Sequence, residues 1–529
     1  MKQYPHLSSP IQIGSVTLRN RIFMAPMDTG FGNNAWGGFT EAGVEYFVRR
    51  AQGGFGLLFS GGTAPDNQVD AAESILDHRE EFIRTGREMN RRIEGYGSRM
   101  FMQLSMGVGR NGALKTPSPL PALGNPAVTT TELTVDEIRA KVHLMGQGAR
   151  LCQEAGYAGV DIHALHWGHL LDSFALSLMN HREDEYGGSL ENRLRIVKEI
   201  REEIAAQCGP DFPVSIRFAV RSMMKGFDQA SFDGSDEAGR TLEEAVEIAR
   251  LLEQYGYNAI STDAGTLDAF YYAMPPSYVE KGYTLKNLRA IKAAVSIPIL
   301  AGARMADPDM TEQAIADGII DAAVVGRQAI ADPDYAGKIV AGQREQVRTC
   351  IGCNQGCIWG YFTTGQVGCA VNPEVGREGA GGIPKAADRK KVIVVGGGLV
   401  GCEIAFGYAK EGRSVTIVEA LDDVLSVGDV PGMNKAMLLD AFNYYGTKLL
   451  TGTQLKAVRD EGAIVKCKDG AEETIPADSV IFSIGYRSVP SMAEELQDCG
   501  AKIVEIGDGH KVGNVLTCIR DAYEAMCGI

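Results

Sequence analysis

Short apolar runs alternate with longer stretches in which apolar residues recur three and four apart, and the alternation repeats eight times over about 340 residues. The apolar runs are RIFMAPM (21–27), GLLFSGG (56–62), RMFMQLS (99–105), GVDIHA (159–164), FPVSIRFA (212–219), AISTDAG (259–265), IPILAGA (297–303) and DAAVVGR (321–327). Between them, residues 41–52, 80–93, 135–156, 189–207 and 242–256 carry the helical period. Strand and helix in strict alternation predict a parallel sheet wrapped by helices. Eight such units predict a (β/α)8 TIM barrel over residues 1–345, an α/β fold whose chemistry sits at the C-terminal ends of the strands.

The pattern changes after the eighth unit. Residues 346–377 hold Cys350, Cys353, Cys357 and Cys369 in a C-x2-C-x3-C-x11-C arrangement. Three closely spaced thiols and a fourth returned by a short loop suit a [4Fe–4S] cluster, which is held by four thiolates. Zinc is the rival metal, although its structural sites usually come as two pairs rather than a triplet. Residues 378–388 are small, Gly-rich and Pro-containing, and read as a linker. Residues 389–486 then open with a strand, a Gly-rich turn, a helix and a second strand. Gly396, Gly398 and Gly401 stand in G-x-G-x-x-G register and Glu419 ends the second strand. In that context the glycines form a dinucleotide fingerprint of a Rossmann-like domain, and an acid placed to accept from a ribose hydroxyl favours NAD(H).

Composition narrows the class. The 529 residues are 45% hydrophobic and 22% charged, with no apolar window approaching the roughly 20 residues of a membrane span. A net charge of −15 disfavours nucleic acid and anionic lipid as partners. The start, MKQYPHLSSPIQIG, lacks an export h-region, so a cytoplasmic location is expected and disulfides are not. The other seven of the eleven cysteines are scattered and read as bland thiols.

Several strand ends carry residues a barrel core would not choose: Met27, Gly62, Gln103, His163, Arg217, Gly302 with Arg304, and Gly326 with Arg327. Glycines after strands 7 and 8 let backbone N–H groups approach a ligand, and the two arginines would add charge to a phosphate site there. Any one of these glycines could instead merely turn the chain. The end of strand 4 places His163, His166 and His169 three residues apart. A metal site, loop histidines satisfied by backbone, and recognition of a substrate carbonyl or carboxylate are the three readings open to them.

The segments LRNRIFMAPMDTG, HREDEYGGSLENR, SIRF and AAVVGRQAIADPD resemble the FMN barrel of the old yellow enzyme family. With the cysteine stretch attached, the chain is most similar to the iron–sulfur branch that includes 2,4-dienoyl-CoA reductase, enoate reductase and the bile-acid-inducible reductases. The resemblance implies that Pro26, Met27, Gly62 and Gln103 surround the FMN isoalloxazine, that Arg217 faces its N1/O2 edge, and that Gly302, Arg304, Gly326 and Arg327 hold the phosphate. A guanidinium at that edge would stabilise the reduced flavin as an anion. It also implies that His163 and His166 bind the substrate oxygen while the residue at 169 protonates Cα after hydride reaches Cβ. Similar reductases carry tyrosine at that last position, and this chain has His169.

Family members carry two Gly-rich fingerprints after the cluster, one for FAD and one for NAD(P)H. Only the second is present, and residues 487–529 resemble the last piece of the FAD domain, so the basis for FAD binding is incomplete. The expected activity is NADH-linked reduction of the activated C=C bond of an unsaturated acyl or carbonyl compound. Flavin oxidation of a C–N substrate and a role as an electron-transfer partner are the alternatives, and a homo-oligomer is left open.

Overall fold

Eight parallel strands close on themselves in chain order in the computed structural model, which describes residues 3–66, 73–112, 115–380, 401–410, 412–426, 430–477 and 504–527, with 480, 481, 483 and 488. The strands are β1 (Ile22–Met24), β2 (Leu57–Phe59), β3 (Arg99–Ser105), β4 (Gly159–Leu165), β5 (Val214–Ala219), β6 (Ala259–Asp263), β7 (Ile299–Ala301) and β8 (Ala322–Val325). Pairing of β8 with β1, Ala323 opposite Ile22 and Val325 opposite Met24, seals the ring. Each strand falls within one of the eight apolar runs, except that β4 runs one residue further, to Leu165, and the expected TIM barrel is the fold observed.

Helices α1 (Glu41–Gln52), α2 (Arg79–Gly95), α3 (Val135–Glu154), α4 (Arg195–Cys208), α5 (Leu242–Gln254), α6 (Leu285–Ala294), α7 (Pro308–Ala316) and the short α8 (Arg327–Ala331) follow the strands. Their starts are chemically marked. Thr40, Thr134 and Thr241 accept from backbone N–H groups of the first turn, Thr134 within a full capping box with Glu137, and Asp307 caps α7 ahead of Pro308. The stretch 189–207, expected as one helix, is two. Leu194 sits at φ −94° and ψ −1° between Leu190–Arg193 and α4, and the Arg193 guanidinium just before it is held by Glu244 of α5 at 2.7 Å.

Strand periodicity sorts the core. Phe23, Leu57, Phe59, Phe101, Ala259, Leu300, Ala322 and Val324 pack together inside the barrel. Their neighbours Ile22, Met24, Leu58, Met100, Met102, Val160, Ile162 and Ile216 join the larger cluster beneath the helices. An N-terminal hairpin, Ile11–Ile13 with Val16–Leu18, adds Ile11, Ile13 and Leu18 to the interior cluster and closes the mouth where the strands begin. That closure gains about 1.5–3 kcal/mol per buried side chain. The opposite mouth is left for chemistry.

The described residues fall into two compact units, one of residues 1–352, 360–368 and 374–382, the other of 353–359, 369–373 and the described residues beyond 400. In the second unit, α9 (Gly401–Lys410) packs on α10 (Gly432–Tyr445). There β9 (Thr416–Val418) runs parallel to β10 (Lys448–Leu450). An antiparallel meander, β11 (Gln454–Arg459), β12 (Gly462–Lys466) and β13 (Glu472–Ile475), and a last helix, α11 (Val515–Cys527), complete it. The strand expected before Gly396 lies outside the described residues, as do Gly396 and Gly398. Among the described residues no helix is long and apolar enough to cross a membrane.

Candidate active site

The barrel interior turns polar one step above its apolar layer. On the inward-facing positions, Phe101 is followed by Gln103, Gly159 by Asp161 and His163, Ser215 by Arg217, and Ala259 by Ser261 and Asp263. The register aligns them, Asp161 opposite both Gln103 and Ser215, His163 opposite Arg217, and Arg217 opposite Ser261. Asp161, fully buried, accepts from Gln103 Nε2 at 2.7 Å and from Ser215 Oγ at 2.6 Å. Burial raises its pKa while these two donors pull the other way.

Arg217 donates through Nε (3.1 Å) and Nη2 (2.7 Å) to one oxygen of Asp263, and through Nη1 to Ser261 Oγ at 3.1 Å. Three of its N–H groups are thereby used, and a guanidinium has five. The other oxygen of Asp263 lies 2.9 Å from His166 Nδ1. Burial pushes Asp263 up to about 6 against the pull of Arg217, so it is a carboxylate at neutral pH. A carboxylate only accepts, which places the His166 proton on Nδ1 and leaves Nε2 as a bare lone pair. Neutral His166 therefore has no N–H left to give a substrate oxygen.

The three histidines are brought together. His163 lies in β4, His166 follows it, and His169 precedes a short helix, Leu170–Ala175. Ring centroids are 5.0 Å apart for His163 and His166 and 4.8 Å for His163 and His169. Burial holds all three neutral, His163 and His166 well below the usual imidazole range and His169 at about 4. Nδ1 of His163 and Nδ1 of His169 are buried without a hydrogen-bond partner. Among the described residues no group of three or more His, Cys, Asp or Glu is arranged to hold a metal ion.

The ends of β7, β8 and β1 converge. Gly302 follows β7 where a Cβ would come within 2.6 Å of Thr262 O, so only glycine fits. Ala303 and Arg304 then both take left-handed backbone, φ 65° and 59°, a strained pair. Arg304 donates through Nη1 to Pro276 O at 2.6 Å, while its Nε is buried without a partner. After β8, Gly326 leads into α8 at Arg327, and a Cβ on Gly326 would lie 3.3 Å from Met27 Sδ, beyond β1. Pro26 precedes Met27 on that half-buried turn, and Gly62 lies exposed just past β2, its Cα side toward Gln103 and Ser105.

Gln328, the second residue of α8, grips the chain that leaves the barrel. Its Oε1 accepts from Cys350 N at 2.9 Å and its Nε2 donates to Arg348 O at 2.9 Å. Residues 360–368 return to the turn after Met27, with Tyr361 OH donating to Asp28 at 2.8 Å and Val367 N to Thr29 O at 3.0 Å. Glu378 pairs with Arg50 of α1 at 2.7 Å, with both side chains buried. In the second unit Cys357 is buried on the turn Gln355–Trp359, Asn434 of α10 approaches Cys353 O, and Cys369 is half-buried. Cys350, Cys353, Cys357 and Cys369 are not joined in disulfides. Gly401 begins α9, and Glu419, just past β9, accepts from Leu421 N at 2.8 Å and donates its own N–H to Leu450 O.

Sequence reasoning passed over Asp161, Asp263 and Trp167. The first two were legible as acids on the inward positions of apolar strands, level with Gln103 and Arg217. No local pattern announces a pair 97 residues apart such as His166 and Asp263.

Comparison with known proteins agrees with the geometry. The NADH:flavin oxidoreductase / NADH oxidase family matches residues 6–346, and the pyridine nucleotide-disulphide oxidoreductase family matches 372–508. A cinnamate reductase of Clostridium sporogenes is 32% identical over 658 residues, covering 99% of each chain. This chain has 529 residues, so well over a hundred positions of that alignment have no counterpart in it. An NADH oxidase of Thermoanaerobacter brockii is 34% identical over 79% of this chain and 64% of its own length. The solved structure of a 2-naphthoyl-CoA reductase, 23% identical, superposes over 100% of both chains with a TM-score of 0.86, which shows a shared fold. Matched over its whole barrel and to a full-length relative, the chain belongs to the NADH:flavin oxidoreductase / NADH oxidase family.

Proposed function

We propose that the chain is an FMN- and [4Fe–4S]-dependent NADH oxidoreductase that reduces the activated C=C bond of an enoate, enoyl thioester or enone. The observation that carries the reading is the polar layer of Gln103, Arg217, Asp263 and the histidine loop at the same barrel mouth as the strained Gly302–Arg304 turn. Cinnamate reductase activity in a full-length relative supports it.

The residues present fit FMN. Arg304 has a buried Nε without a partner, and with Ala303 it forms the strained left-handed turn that follows Gly302. Arg304, Arg327 and the Gly302 and Gly326 backbones would hold that phosphate, and Pro26, Met27, Gly62 and Gln103 would line the ring. The N–H groups that Arg217 has left would meet the N1/O2 edge. FMN bound there would supply hydride chemistry at the substrate Cβ. His163 orients the substrate, His166 presents an acceptor nitrogen fixed by Asp263, and His169 hands a proton to Cα.

Cys350, Cys353, Cys357 and Cys369 would hold the cluster, and the Gly396, Gly398, Gly401 and Glu419 set would take NADH. The boundaries proposed are barrel 1–345, cluster segment 346–377, linker 378–388, nucleotide domain 389–486 and remnant 487–529. The aligned positions missing from this chain support a route without the usual FAD segment. The substrate is a small molecule and the setting cytoplasmic. Anaerobic turnover with NADH and cinnamate, cinnamaldehyde or a cinnamoyl thioester tests the reading. Methylated amines reduced enzyme-bound flavin while no alkene is consumed would reverse it.

A further inference from the structure

Trp167 is held in a conformation that a bulky aromatic residue rarely adopts. Its φ is +63°, in the left-handed region where a Cβ crowds the backbone. Two attachments keep it there. Its carbonyl accepts from Leu267 N at 3.1 Å and its backbone bridges to Thr266, beyond β6. On the other side Gly168 N donates to Asp172 at 2.8 Å, and Asp172 is itself locked to Arg240 at 2.6 Å with both side chains buried. The constraint sets the indole among the histidine rings, 4.8 Å from His166, 5.8 Å from His169 and 6.3 Å from His163 between centroids.

The indole Nε1 is buried there without a hydrogen-bond partner, and so is the hydroxyl of Thr266. Indole nitrogen is a donor and nothing else, so unlike an imidazole it cannot be satisfied by a change of tautomer. A buried donor left unmade is costly, and strain with an orphaned donor in one residue marks a place completed by a ligand. The ligand must bring an acceptor. His166 does not supply it, since the indole N–H makes no hydrogen bond to that ring. The guanidinium groups bordering the loop, Arg217, Arg240 and Arg110, are each paired with a buried carboxylate, Asp263, Asp172 and Asp268. An acceptor met by neutral donors beside balanced charge is best an uncharged oxygen.

We propose that Trp167 donates its indole N–H to the carbonyl oxygen of the substrate and biases the site toward neutral carbonyl activation, as in an enone or thioester, over a free carboxylate. This rests on the ene-reductase reading. The hydrogen bond would withdraw charge from the carbonyl and so make Cβ more electrophilic. The residue is thus both an anchor and a specificity determinant.

The test uses oxidised holoenzyme with isotope-labelled tryptophan. The chain has three tryptophans, so Trp36→Phe and Trp359→Phe assign the remaining indole N–H resonance to Trp167 without altering it. Benzylacetone, the saturated counterpart of the enone benzylideneacetone, is then titrated in. The expected result is a downfield shift of that resonance. Trp167→Phe, which removes the donor together with the pyrrole half of the ring, should lower kcat/KM for benzylideneacetone by about 3- to 10-fold, the worth of one neutral hydrogen bond. It should leave kcat/KM for cinnamate nearly unchanged and raise the carbonyl stretching frequency of bound benzylacetone. A resonance indifferent to benzylacetone would assign the N–H to the neighbouring ring faces and overturn the proposal. A resonance that responds only to removal of FMN would assign it to the cofactor and do the same. Wild-type enzyme whose resonance shifts with benzylacetone but which reduces no alkene would sink the reaction class instead, leaving the carbonyl contact standing.

Discussion

His166 and Arg217 are joined through a single carboxylate: Nδ1 of the histidine lies 2.9 Å from one oxygen of Asp263, and Nη2 of the arginine 2.7 Å from the other. On the proposed reading, the charge offered to the flavin edge and the tautomer of a substrate-facing ring would therefore be set by the same side chain. Asp263→Asn removes the counter-charge of Arg217 and leaves its positive field uncompensated, which favours an anionic reduced flavin. Spectroelectrochemical titration should find the flavin midpoint potential raised. A potential that stays put or falls would show that Arg217 does not face the cofactor.

Proton delivery should carry a pH signature of the histidine loop. Burial holds His169 at about 4, so its imidazolium is a minor species at neutral pH. Because the pKa is depressed, the acid form grows as pH falls, and a step that draws on it should speed by about tenfold per unit from pH 7 toward 5. His169→Tyr should flatten that dependence, since a phenol stays protonated to about pH 10. His169→Phe should slow the step by about 10²- to 10⁴-fold. Single-turnover oxidation of dithionite-reduced enzyme by substrate measures all three. Coinciding profiles for wild type and His169→Phe would return the proton to Tyr271 or Tyr272, or to water.

Cofactor affinity should track the turn after β8. Arg327→Ala should weaken FMN binding by about 1.5–3 kcal/mol, the scale of a hydrogen bond to a charged group. Fluorescence titration of apoenzyme with FMN would show this directly. Equal affinity in the two proteins would move the phosphate away from Arg327.

The cysteine segment should hold iron and sulfide. Anaerobically purified protein is expected to carry about four irons and to absorb broadly near 400 nm. Cys357→Ser should lower that content. Stoichiometric zinc with no acid-labile sulfide would replace the cluster with a structural metal site.

The barrel was legible because each of its strands is an apolar run with no competing helical period. IPILAGA shows the limit of that signal, since β7 stops at Ala301 and the residues that matter, Gly302 to Arg304, have already left it. The site was legible only where a residue looked out of place alone, as three spaced histidines or an arginine in SIRF do. Asp263 sits near the end of AISTDAG, where its inward position is readable, but its partners come from β5 and the β4 loop. Trp167 gave no signal, because an aromatic residue in a loop is unremarkable until its φ is known. Pairing between distant strands and left-handed backbone are products of closure, which periodicity cannot encode.

Arg50 and Glu378 meet in the core with side chains 0% and 4% exposed. The arginine belongs to the first helix of the barrel, whereas its counter-ion arrives only after the cysteine segment has run its course. A barrel cut off near residue 346 would keep the guanidinium and lose the carboxylate, and stranding one member of a buried pair costs about 3–5 kcal/mol. The flavin domain of this chain is thus no detachable module: its folding is completed by sequence lying beyond it, and excision would need Arg50 replaced by a neutral residue to restore the balance.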